Sequence, residues 1–99
     1  MSKVLFTISY NVRPEMREQY LQFAAELKTH FSTQHKGDYC VYEVKGKKNT
    51  FTEVFTFGSM SEYDALEEQH DERTQELEGR LEQFIDKGGM KYSTLVEVE

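Results

Sequence analysis

Apolar residues recur with a period of two from Lys3 to Val12 (KVLFTISYNV). Val4, Phe6, Ile8, Tyr10 and Val12 fall on one face, and Leu5, Thr7, Ser9 and Asn11 on the other. This predicts a first strand whose apolar face is buried under helices and whose other face is small and polar. The period changes at Arg13-Pro14-Glu15. The chain's only proline is preset for a first helical turn, and Glu15 and Glu18 sit where the helix dipole is positive. Met16, Tyr20, Phe23, Ala24, Leu27 and Phe31 then follow at helical spacing, predicting a helix to about Thr33. Gly37-Asp38 turns the chain.

A second strand is predicted over Tyr39 to Val44. Lys45 to Asn49 reads as a polar hairpin loop, with Gly and Asn supplying unusual backbone angles. In the third strand Phe51, Glu53, Phe55 and Phe57 alternate with Thr52, Val54 and Thr56. Gly58 ends that run, and Ser59 with Glu62 has the spacing of a capping box. From there a second helix is predicted to about Asp86. Its stripe is Tyr63, Leu66, His70, Leu77, Leu81, Phe84 and Ile85, with Gly79 marking a point where it could kink. Gly88-Gly89 reads as its stop, and Tyr92 to Val98 as the last strand. The order β-α-β-β-α-β is the α+β, ferredoxin-like arrangement, a four-stranded antiparallel sheet with both helices on one face. The other face is left open, and apolar groups there make it an interaction surface.

Length and charge narrow the reading. Ninety-nine residues suit one domain spanning 1–99. With 37% hydrophobic residues, seven Phe and six Tyr, such a domain is expected to complete its core by pairing with a second copy. The formal net charge of -6 argues against nucleic acid and anionic membrane as partners. No apolar run approaches the roughly 20 residues of a membrane helix. The first residues pass directly into alternating sequence, so no signal peptide is expected. The single Cys40 allows no internal disulfide, and no metal-type spacing is present, so a cytoplasmic protein with no metal is expected.

Three segments carry a family likeness: Val12-Arg13-Pro14 before the first helix, Tyr42-Glu43-Val44, and Phe57-Gly58-Ser59 followed by Glu62 to Leu66. In this order and spacing the chain resembles the dimeric α/β-barrel superfamily, and within it the antibiotic-biosynthesis-monooxygenase-like proteins. The resemblance implies a homodimer through the open sheet faces and a ligand cleft between sheet and helices. It also implies oxidation of a small aromatic or quinol-like molecule by oxygen with no cofactor. Haem-degrading relatives place an Asn, a Trp and a His where this chain has Thr7, Leu66 and Glu76, and the chain has no Trp, so that activity is not implied.

His70 interrupts the stripe of the second helix, and an imidazole there suits a general base or a partner for a phenolate. Arg73 continues the interruption as a ligand-binding candidate. Thr7 and Ser9, on the first strand, and Tyr63 are the other expected ligand contacts of the cleft. The ridge Asp64, Glu68, Glu72 and Glu76 reads as a solvated acidic face. The rival to an enzyme is a non-catalytic dimer that binds a small molecule or serves structurally.

Overall fold

The alternation of the first strand is realised as β1 (Val4–Val12), one of the two inner strands of the sheet. The computed structural model describes residues 3–34, 38–66 and 72–98. After β1 a single 3-10 turn (Pro14–Met16) leads into α1 (Arg17–Gln34). There follow β2 (Tyr39–Glu43), β3 (Thr50–Phe57), α2 (Met60–Leu66), α3 (Glu72–Leu81) and β4 (Ile85–Val96). The strands form one antiparallel sheet in the order β2-β3-β1-β4. This is the ferredoxin-like α+β topology that the sequence pattern predicts.

Register fixes which side chains share a face. Phe6 pairs with Phe55, Ile8 with Glu53 and Tyr10 with Phe51, while Tyr92 lies opposite Ile8 from β4. These positions look toward the helices. Against them pack Tyr20, Phe23 and Leu27 of α1 and Leu77 and Leu81 of α3, all buried. Rings interlock through this layer, with Tyr20 and Phe51 centroids 4.5 Å apart and Phe31 lying 5.1 Å edge-on from Phe55. The hairpin between β2 and β3 is turned by Gly46 at φ 85° and Asn49 at φ 69°, the left-handed angles those residue types tolerate. It is tied down by Arg17, which reaches Glu43 at 2.6 and 2.9 Å and Asn49 at 2.9 Å.

The capping box is present. Glu62 N–H donates to Ser59 Oγ at 3.3 Å, and the Glu62 carboxylate returns to accept the Gly58 N–H at 2.6 Å. A Cβ on Gly58 would lie 2.9 Å from that carboxylate oxygen, so the turn suits a glycine.

The second half departs from the expectation of one helix to Asp86. Helix is found as two pieces, α2 and α3, with residues 67–71 between them outside the described set. The helix runs unbroken through Gly79 and ends at Leu81. Phe84 and Ile85, which fit a helical stripe, belong to the strand entry: the Arg13 N–H donates to Phe84 O at 2.8 Å, and Ile85 pairs with Val12. The last strand therefore begins seven residues earlier than Tyr92, at Ile85. Gly88-Gly89 is not a helix stop. It lies inside β4 where the register shifts between Tyr10 and Val12, and Gly89 takes φ 70° there. Of the acidic ridge, Asp64, Glu72 and Glu76 are exposed and Glu68 lies outside the described residues. Glu76 pairs with Arg73 at 2.9 Å, while Arg80 turns to Glu26 of α1 at 2.7 Å.

Candidate functional site

Between the helix-facing side of the sheet and the helices α1 and α3 lies a cavity of about 340 Å³. It is within the usual range of small-molecule sites, about 300–1,000 Å³. Its walls are mainly apolar, including Phe6, Phe31, Phe55, Leu77, Met90 and Tyr92. The polar exceptions are Glu53, Thr74, Glu78 and Glu82, and no Lys or Arg lines it among the described residues.

Glu53 is the unusual member. The period-two pattern of β3 turns it inward with Phe51 and Phe55, and it is 2% exposed. The Tyr39 hydroxyl donates to its Oε1 at 2.6 Å. Its Oε2 is buried and meets no hydrogen-bond partner. Burial raises the carboxyl above the ordinary carboxylate range, the Tyr39 hydrogen bond opposes the rise, and Glu78 adds to it. The neutral acid is therefore favoured. Tyr10 is itself paired hydroxyl to hydroxyl with Tyr20 at 2.7 Å. Burial, with Glu53 close by, raises the Tyr10 and Tyr39 phenols, so both stay protonated. The site gathers one buried carboxyl, whose neutral form burial favours, and three buried phenols.

The candidates named from the sequence do not converge on this cavity. His70 lies outside the described residues. Thr7 and Ser9 are on the opposite face of the sheet, where Thr7 Oγ1 donates to Ser93 O at 3.4 Å and Ser9 Oγ meets Thr52 Oγ1 at 2.8 Å. Tyr63 stands behind the cavity wall, its ring edge-on to Phe57 and Phe6 and its hydroxyl 3.0 Å from Thr94 Oγ1. Arg73 points away, between Glu76 and Glu26. Among the described residues no group of His, Cys, Asp or Glu is arranged to hold a metal ion. No helix among them is long and apolar enough to cross a membrane.

No protein-family model matches the chain, and no curated protein matches it. Solved structures do. A provisionally assigned antibiotic biosynthesis monooxygenase from Caulobacter crescentus superposes with a TM-score of 0.80 at 12% identity, over 99% of this chain and 92% of that one. A variant of SnoaB, a cofactor-independent oxygenase from Streptomyces nogalater, gives 0.73 at 11% identity, over 98% and 94%. A NIPSNAP family protein from Agrobacterium tumefaciens gives 0.75 at 14%, over 98% and 94%. The chain has the fold of the antibiotic-biosynthesis-monooxygenase-like proteins. At these identities the likeness is one of fold, and fold alone does not transfer a reaction.

Within this monooxygenase-like fold, the residue that sequence reasoning passed over is Glu53. Its signal was present: an acid at an inward position of a strand whose other inward residues are Phe51, Phe55 and Phe57. A charged residue in such a stripe is either paired or kept neutral.

Proposed function

We propose that the chain is a cofactor-independent oxygenase of small phenolic aromatics, acting in the cavity between the sheet and the helices. The observation that carries this reading is a ligand-sized, aromatic-walled cavity with one buried carboxyl whose second oxygen has no partner. Apolar walls with a few placed polar groups are the usual make-up of a small-molecule site. The fold shared with a cofactor-independent oxygenase supports the same reading.

The chemistry balances with oxygen as the only co-substrate. An electron-rich phenol adds O2 at its para carbon, and the phenol proton passes to the outer peroxide oxygen. The O–O bond then breaks. The outer oxygen leaves as water on a proton from Glu53, and the hydrogen of the para carbon leaves as a proton to the carboxylate so formed. The products are a quinone and water, and Glu53 ends protonated as it began. A carboxyl held near neutral charge is suited to giving and retaking a proton. His70 is retained as a candidate base for the first proton transfer.

The protein is proposed to work as a homodimer. The sheet face away from the helices carries Leu5, Val54, Tyr42 and Leu95, with Tyr42 and Leu95 more than half exposed. Two such faces packed together would cover them.

Oxygen uptake with 1-naphthol tests the activity. The expected result is one O2 consumed per 1,4-naphthoquinone formed, without hydrogen peroxide, and loss of turnover in Glu53→Leu. Saturable binding of phenols with no oxygen uptake would contradict the enzyme and leave the non-catalytic binder.

A further inference from the structure

We infer that Glu53 is a proton-bearing hydrogen-bond donor that makes the cavity accept uncharged, oxygen-bearing aromatics and reject aromatic carboxylates. This rests on reading the cavity as a ligand site, and it names the charge that the site selects. Because Oε1 already accepts the Tyr39 hydroxyl proton, the acid's own proton belongs on Oε2, the oxygen without a partner. Glu53 lines the cavity, and this proton is the one left for an occupant that reaches the carboxyl. A phenol or ketone oxygen accepts from it. A plain hydrocarbon leaves it unsatisfied, which is costly for a buried polar group.

The groups facing Glu53 all point the same way. Tyr39 from β2 and Tyr10 from β1 are neutral phenols, and Tyr20 of α1 lies behind Tyr10. From α3 and the turn after it come Glu78 and Glu82, which line the same cavity. An incoming carboxylate would find no positive side chain among the described lining residues and would meet the exposed acids Glu78 and Glu82 as well as the buried Glu53. An organic cation would have to draw the proton from Glu53, leaving two desolvated charges whose attraction need not repay the loss of water. Burial favours the same protonated state of Glu53.

The test is binding of four probes to the full chain at pH 7, followed by the probes' own fluorescence: 1-naphthol, naphthalene, 1-naphthoate and 1-naphthylmethylamine. 1-Naphthol is expected to bind at least tenfold tighter than each of the other three. Glu53→Gln should keep the order, because its amide N–H still donates, and Glu53→Leu should bring 1-naphthol to the level of naphthalene. Naphthoate or the amine binding as tightly as 1-naphthol to the wild type would overturn the inference, with no variant required. So would an undiminished preference for 1-naphthol in Glu53→Leu. Absence of binding by all four probes would overturn the ligand-site reading on which it stands. Binding with the expected order but no oxygen uptake would uphold the charge selectivity and remove only the oxygenase.

Discussion

Replacing Glu53 with Gln preserves the shape of the side chain and an oxygen for the Tyr39 hydroxyl, and abolishes one titration. In the folded chain the Glu53 carboxyl is raised by burial, and further by Glu78. In the unfolded chain it titrates near the ordinary value of about 4.3. Between those two values the folded state holds a proton that the unfolded state has lost. The resulting stability is complete below the unfolded value and is lost as pH rises toward the folded one. Each pH unit inside that window removes about 1.4 kcal/mol from the wild type. As pH rises from 5 to 7 the wild type should lose stability relative to Glu53→Gln. For a domain of this size each kcal/mol so lost lowers the melting temperature by roughly 4–8 °C. Glu26 and Glu43, whose carboxyls are lowered by Arg80 and Arg17, titrate alike in both chains and cancel in the comparison. Urea denaturation of both proteins at pH 5, 6 and 7 makes the measurement. Stability curves that run parallel for the two over this range would refute the argument that burial keeps this acid neutral.

Other perturbations test separate parts of the structure. Tyr39→Phe removes the hydroxyl that serves Glu53 Oε1 at 2.6 Å; leaving that oxygen unsatisfied should cost about 1–3 kcal/mol in urea denaturation. Leu77→Ala empties a site that is 0% exposed under the sheet, and the loss should be about 2–5 kcal/mol by the same assay. Glu43, bonded by both Arg17 nitrogens, is lowered to about 2. Its stabilising effect should be present above the unfolded value and disappear as pH falls through about 2. A carboxyl NMR titration should find that low value in the wild type and a higher one in Arg17→Met, still held below the ordinary range by the Asn49 backbone N–H that donates to Glu43 Oε2 at 2.9 Å.

What was legible in the sequence was what local periodicity controls. The alternation of β1 and β3 set their buried faces, the stripe from Met16 to Phe31 set α1, and Ser59 with Glu62 marked a helix start. The end of the second helix was not legible. Phe84 and Ile85 continue a helical spacing, and Asp86-Lys87-Gly88-Gly89 has poor intrinsic strand propensity. Those residues become strand because β1 offers a partner edge, with Val12 opposite Ile85, a tertiary effect that no local window contains. The cavity was not legible for a related reason. The alternation of β1 puts Thr7 and Ser9 on the open face, and the enclosed space lies on the other side of the sheet, among the aromatics. The acid that reaches it, Glu53, stood in plain view in the β3 alternation, and its meaning depends on Tyr39, 14 positions away in sequence.

The central claim is that the cavity contains a neutral carboxylic acid able to bond an occupant. Infrared difference spectroscopy at pH 7 reads this directly. The wild type should show the carbonyl stretch of a protonated carboxyl that is missing from Glu53→Gln, and adding 1-naphthol should shift that band. A wild-type spectrum without such a band, or one that 1-naphthol leaves in place, would contradict the account.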